Sequence, residues 1–180
     1  MGFKFTFSQA DTEKEIRMAR DFLAMHDLGY PNYNRWVQRA EAEMLSGYKR
    51  TIIVISQGRV VGDLVYQPHK HLKGIAEIKN LRVNPKLNGR YFATFMLRQL
   101  EVETSRENFY AIWVDARESQ KDVIGFFASQ GYAPVETLPL YEKTAREVVM
   151  LKPLKQKGRI IVPESKLVSI AREHALSLSF

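Results

Sequence analysis

The sequence predicts an α/β fold, and three observations carry that reading. Residues 75–100 pass from an apolar run rich in β-branched residues, through a loop with proline and glycine, into a helix. A second passage from helix to strand, punctuated by Gly131, follows at residues 123–135. Apolar residues upstream switch from strand spacing to helical spacing and back to strand spacing.

Each element follows from its own pattern. Phe3, Phe5 and Phe7 alternate with Lys4 and Thr6, which predicts a half-buried opening strand. Thr12 and Glu15 form a capping-box pattern ahead of Ile16, Ala19, Phe22 and Leu23, so a first helix runs to about His26–Gly29, with 26–31 as a loop. Tyr33, Trp36, Val37, Ala40 and Met44 mark one face of a second helix closed by Gly47. Strands at 51–56 and 60–66 meet in a tight hairpin at Gln57-Gly58. A third, at 74–83, follows a turn holding His69, Lys70 and His71, and stops at Asn84-Pro85, where proline removes a donor and restricts its predecessor. Phe92, Phe95, Met96 and Leu100 share one face of a helix expected to start from Gly89. A strand at 109–114, the helix around Val123, and strands at 132–136 and 147–151, connected through 138–143, complete a domain over 1–152. Residues 153–180 read as an extension, with a strand at 159–162 and a helical face of Leu167, Ile170, Ala171 and His174. Such a stripe needs cover, from the parent domain or from a second subunit in a homodimer.

Composition narrows the chemistry. A chain of 180 residues suits one core, and no apolar run is long enough to span a bilayer. The first residues lack a signal-peptide core, so the protein reads as soluble and cytoplasmic, without a membrane partner. The absence of cysteine removes a disulfide framework, a thiolate metal site and an acyl-cysteine intermediate. The net charge of +7 suits nucleic acid, an anionic surface or a phosphate-rich ligand, but the positive residues are spread along the chain in the manner of a solubility feature. Tyr48-Lys49-Arg50 is too short an aromatic and basic run for RNA stacking, so nucleic acid is not the expected partner. His69 and His71 have no neighbouring cysteine or third ligand and read as a turn, so no metal is expected.

The first turn of a helix leaves backbone N–H groups unpaired at the positive end of its dipole, where a phosphate can sit. The strand, loop and helix at 75–100 offer such a place. The run AEIKNLRV followed by NPKLNGRYFATFML resembles the acetyl-CoA-binding core of the GNAT superfamily of N-acetyltransferases. There a strand ending in V-x-P leads into Q/R-x-x-G-x-G/A at a helix start. Here Asn88 stands for the Gln or Arg, Tyr91 replaces the central glycine, Ala93 fits the last position, and Gly89 matches the glycine that commonly follows the basic residue. VIGFFASQGYAPV is similar to the family's A-x-x-F-Y-x-x-x-G-F segment, with Phe127 at the frequent tyrosine. The resemblance covers about residues 50–152.

The resemblance implies a mixed central sheet, splayed between the fourth and fifth strands and flanked by helices, with acetyl-CoA as co-substrate. It implies that the backbone of Leu81 and Val83 holds the pantetheine arm. The N–H groups of Gly89, Arg90, Tyr91, Phe92 and Ala93 would then meet the pyrophosphate, with Asn88 also at the cofactor and Gln120 near it. Glu77 falls where the histone-acetyltransferase branch carries its general base, and the reaction needs one because an ammonium ion has no lone pair. The alternative for Glu77 is an ion pair with a neighbouring lysine; for Arg90 and Tyr91 it is a solvated helix start. Tyr30, Tyr33 and Tyr141 are the candidate acceptor contacts by family analogy, with ordinary packing as the competing role.

The expected activity is transfer of an acetyl group to a primary amine by direct attack in a ternary complex. The likeness around Glu77 favours a protein or peptide amine over a small amine or an aminoacyl-tRNA. A second class of reading, motivated by Tyr91 and Phe127, is a catalytically weak or inactive domain that binds acyl-CoA or a macromolecular partner. Nucleic-acid binding by a basic face is the third, and it predicts affinity falling steeply with salt.

Overall fold

Phe5 and Phe7 lie in β1 (Phe5–Gln9), which pairs antiparallel with β2 (Arg50–Ser56), placing Phe7 opposite Val54. The computed structural model describes residues 4–27 and 29–154. β2 turns into β3 (Arg59–Pro68) through Gln57 at φ 49° and Gly58 at φ 73°. Two consecutive left-handed residues match the twist of the paired strands, so the hairpin forms where the sequence places it. β4 (Ile75–Val83), β5 (Ala111–Arg117), β6 (Ala133–Leu138) and β7 (Glu147–Pro153) complete a seven-stranded sheet in the order β1-β2-β3-β4-β5-β7-β6. β4 and β5 are parallel, with Ile75, Ala76 and Glu77 opposite Ala111, Ile112 and Trp113. The β1–β2, β2–β3, β5–β7 and β6–β7 pairings are antiparallel. This mixed sheet with its helices is the predicted fold class.

The chain divides into two compact units. The first holds the described residues up to Gln67 together with Ile78–Val102; the second holds Pro68–Glu77 and the described residues from Glu103 onward.

In the first unit α1 (Glu13–Met25) begins at the predicted capping box: Thr12 Oγ1 accepts from the Glu15 N–H, and the Glu15 carboxylate accepts from the Thr12 N–H. α2 (Tyr33–Leu45) packs beside it, joined by the Arg20–Glu41 ion pair at 3.1 Å. Ile16, Leu23, Val37 and Met44 bury against Ile53 and Val65 of the sheet, and this apolar seam stabilises two helices that propensity alone would leave marginal. α3 (Phe92–Arg106) contributes Phe92, Met96, Leu97 and Leu100 to the interior. Phe95 departs from expectation, since it is 48% exposed and leans its ring edge on Phe7. The helix also begins at Phe92 and not from Gly89, because Gly89 (φ 75°) and Tyr91 (φ 62°) are both left-handed and cannot continue a right-handed helix. A single 3₁₀ turn, Pro85–Leu87, precedes them.

In the second unit Ile75, Trp113, Val135, Val149 and Leu151 form the core. α4 (Lys121–Ser129) ends in a Schellman arrangement: the Gly131 N–H donates to Ala128 and the Tyr132 N–H to Phe127, with Gly131 at φ 88°. That use of Tyr132 makes β6 start at 133. Likewise the Phe109 N–H is taken by the Thr104 carbonyl and the Tyr110 N–H by that of Gly74, so β5 starts at 111 and runs on to Arg117. Gly74 is obligatory at φ 77°, since a Cβ there would lie 2.1 Å from the Tyr110 ring. The His69–His71 segment is a turn, with His69 Nδ1 accepting from the N–H groups of His71 and Leu72. The strand expected at 159–162 and the helical face from Leu167 to His174 lie outside the described residues. Among the described residues no helix is long and apolar enough to cross a membrane.

Candidate functional site

The loop between β4 and α3 is built by three local constraints. Pro85 ends the strand, the Asn84 side chain caps the 3₁₀ turn by accepting from the Lys86 N–H, and the left-handed residues Gly89 and Tyr91 reverse the chain into α3. The first intrahelical bond runs from the Phe95 N–H to the Tyr91 carbonyl at 2.9 Å. The N–H groups of Phe92, Ala93 and Thr94 therefore come ahead of the helical ladder, at the positive end of the dipole. The loop is open: Asn88, Gly89, Arg90 and Tyr91 are exposed, Tyr91 by 73%, and nothing lies within 4 Å of the place a Gly89 Cβ would take. Tyr91 thus adopts the backbone conformation that glycine favours while its side chain turns outward. Leu81 and Val83 sit half-buried at the end of β4 just before this loop.

The same unit holds a polar cluster that sequence reasoning missed. Asp63 is fully buried in the middle of β3, and its Oδ1 accepts from Asn80 Nδ2 at 2.8 Å. Asp63 Oδ2, Asn80 Oδ1 and Arg82 Nε make no hydrogen bond among the described residues. Arg82, on β4, lies within electrostatic reach of Tyr33, Asp63, Tyr30 and Asp27. Tyr33 is buried at the start of α2 and donates its hydroxyl to the Leu23 carbonyl at 3.0 Å. Burial holds the Asp63 carboxyl well above its usual range, against the pull of the Arg82 charge and the Asn80 amide. Burial likewise raises the Tyr33 phenol, helped by Asp63, and lowers Arg82, opposed by Tyr33 and Asp63. The signal that could have found the cluster was an aspartate inside the apolar run VVGDLVY, a position where charge is rare without a partner.

Of the predicted acceptor residues, Tyr30 and Tyr33 lie within electrostatic reach of Arg82. The remaining site candidates belong to the second unit. Glu77 is half-buried at the end of the parallel ladder, opposite Trp113. Tyr141 is 47% exposed and donates to Asp115 Oδ2 of β5 at 2.9 Å. Gln120 is exposed at the start of α4 and makes no side-chain capping bond there. Phe127 is buried between Phe126 and Tyr132, a core position without a hydroxyl. The connection from β6 to β7 is pinned by Glu147, which is fully buried and accepts from the Leu140 N–H at 3.0 Å, and by the Arg117–Glu142 pair at 2.9 Å. Burial raises the Glu147 carboxyl. A cleft of about 480 Å³ opens beside α4, lined by Arg117, Glu118, Lys121 and Arg146 among others. Among the described residues no three His, Asp or Glu side chains gather as a metal site.

A parallel β4–β5 pair, a left-handed loop into a buried helix, and an antiparallel end formed by β5, β7 and β6 together define an acyl-CoA N-acyltransferase architecture. Residues 16–132 match the acetyltransferase (GNAT) family, and the chain belongs to it. It is an N-acetyltransferase by class, from a family whose acetyl donor is acetyl-CoA. Solved structures agree on the fold. A GNAT-family protein from Desulfovibrio desulfuricans superposes with a TM-score of 0.74 at 11% identity, covering 84% of this chain and 100% of that one. The ribosomal-protein-S18-alanine N-acetyltransferase of Escherichia coli gives 0.67 at 16%, covering 88% and 99%. An aminoglycoside 6′-N-acetyltransferase complexed with coenzyme A gives 0.68 at 16%, covering 86% and 99%. No curated relative matches by sequence.

Proposed function

We propose that the protein transfers the acetyl group of acetyl-CoA to a primary amine, with a peptide or protein amine as the favoured acceptor. The observation that carries this reading is Tyr91 at φ 62° with its side chain exposed. The backbone turn that presents amides to a diphosphate survives the loss of the family's glycine. The N–H groups from Gly89 to Ala93 hold the pyrophosphate, Arg90 adds charge, and the main chain of Leu81 and Val83 takes the pantetheine arm. Glu77 removes a proton from the acceptor ammonium, directly or through water. The freed amine attacks the thioester carbonyl and the C–N bond forms; the nitrogen releases its remaining extra proton to water, the C–S bond breaks, and CoA leaves as a thiolate that takes a proton from water.

Calorimetric titration with acetyl-CoA, followed by thiol release over an amine panel, tests this reading. We expect Glu77→Gln to lower kcat by about 10²- to 10⁴-fold while acetyl-CoA still binds. An unchanged rate across a pH series would remove Glu77 as base. A second reading, a domain that binds acyl-CoA without turnover, is favoured by the buried Phe127, which has no hydroxyl for the leaving thiolate. Binding with no thiol release over the whole panel would select it.

A further inference from the structure

Glu77 has neighbours on its own face of the sheet that the chemistry above does not use. Residues paired across a ladder point to the same side, and side chains along a strand alternate. Glu77 lies opposite Trp113, so Trp113, Asp115 and Arg117 of β5 project to the side that holds Glu77. Glu147, opposite Arg117 on β7, joins them. All of these residues belong to the second unit. Burial along β5 agrees: Ile112, Val114 and Ala116 are buried on the other side, whereas Asp115 and Arg117 are half-buried.

The parallel ladder ends at the pair of Glu77 and Trp113, and β5 continues to Arg117. Adjacent strands lie about 4.8 Å apart and each residue advances about 3.3 Å, which puts the Cβ atoms of Glu77 and Asp115 about 8 Å apart. Asp115 Oδ2 accepts from the hydroxyl of Tyr141 at 2.9 Å, and Tyr141 is exposed on the connection between β6 and β7. A phenol brings no counter-charge, so this bond orients the carboxylate without neutralising it. Arg117, the cation of β5, is answered by Glu142 at 2.9 Å. Glu147, directly across from it, is fully buried, and its Oε1 makes no hydrogen bond among the described residues. Burial and then the Asp115 charge raise the Glu147 carboxyl. The face beside the assigned base is thus rich in acceptors and short of donors, and two carboxylates at this spacing suit two cationic groups on one short chain.

Resting on the acetyl-transfer reading, we propose that Asp115, oriented by Tyr141, is a specificity-determining residue of the acceptor site, and that the acceptor carries a second cationic group a short chain away from the reacting amine. Glu77 meets the amine that is acetylated, and Asp115 meets the cation that is not. This chemistry is shared by a peptide amine beside a basic side chain and by a small diamine-like molecule.

Arginine and citrulline side chains have nearly the same shape, differ in charge, and do not end in a primary alkyl amine. The test therefore uses dipeptide amides led by arginine or by citrulline, and 4-guanidinobutylamine against 4-ureidobutylamine, which keep the same carbon spacing. The measured quantity is the charged-to-neutral ratio of kcat/KM in wild type against that in Asp115→Asn. We expect a wild-type ratio about tenfold to a hundredfold above that of the variant, carried by KM of the charged acceptor. Tyr141→Phe keeps the carboxylate but loses its orienting hydroxyl, and its ratio falls between the two. Equal ratios in wild type and Asp115→Asn overturn the proposal. A charge preference confined to the peptide pair identifies a peptide acceptor, and one confined to the small amines a diamine-like acceptor; either supports the proposal. Calorimetric titration of the N-acetylated dipeptide amides into wild-type protein reads the same preference without turnover or a variant. Tighter binding of the arginine form supports the proposal even if Asp115→Asn fails to fold, and equal affinity overturns it. Turnover of the panel without any charge preference sinks this inference alone, whereas the absence of acetyl-CoA binding sinks the acetyl-transfer reading and leaves the titration to decide Asp115.

Discussion

Tyr91 shows how a single residue can depart from a family's sequence pattern and still keep a glycine-like turn in space. An L-residue at φ 62° is strained by about 1–2 kcal/mol relative to a right-handed conformation. Glycine would remove that strain, but its freer unfolded chain costs about 0.5–1 kcal/mol. Tyr91→Gly should therefore change stability by less than about 1 kcal/mol, while Tyr91→Val, β-branched and stiffer, should lose about 1–2 kcal/mol. Denaturant melts of the two variants check this, and equal loss in both would show that the left-handed turn is not what position 91 contributes. Asp63 is the opposite case: its residue type was plain in the sequence, but its partners Asn80 and Arg82 come from another strand.

At the level of elements, α1 was readable because its cap is local. Thr12 and Glu15 satisfy each other's backbone groups within one turn, and no tertiary contact is needed to place them. Thr12→Ala should cost about 1 kcal/mol, a fall in Tm of roughly 2–4 °C for a chain of this size. A thermal melt with no shift would mean that the Ile16, Leu23 and Ile53 seam alone fixes where α1 begins. The hairpin at Gln57-Gly58 and the close of α4 at Gly131 were legible for the same reason. The start of α3 was misplaced because Gly89 marks a left-handed residue, and sequence could not show that Tyr91 is a second one. Phe95 was misassigned to the buried face by periodicity, although β1 covers only part of that side.

Over the whole molecule, buried carboxyls set how stability responds to pH. Asp63 titrates from 3.8 in the unfolded chain to a well-raised value in the folded protein, and Glu147 is raised from 4.5, both by burial. Between the two values the folded state holds a proton that the unfolded chain has released. The contribution to stability is therefore full below the unfolded value and falls as pH rises toward the folded one. Asp63→Asn should flatten the fall in Tm expected of the wild type as pH rises from 3.8 toward the raised folded value. A variant curve parallel to wild type would mean that Asp63 does not titrate in this window.

The sequence alone determined the α/β class, the order of elements and the place of the loop between β4 and α3, since each rests on contacts within a few positions along the chain. Tertiary structure decided what long-range packing decides. It made Tyr91 an exposed side chain on a glycine-like turn and put Phe127 in a core, and it gathered Tyr33, Asp63, Asn80 and Arg82 from α2, β3 and β4. Burial and charge pairing across strands follow from the path of the whole chain, which no local pattern encodes.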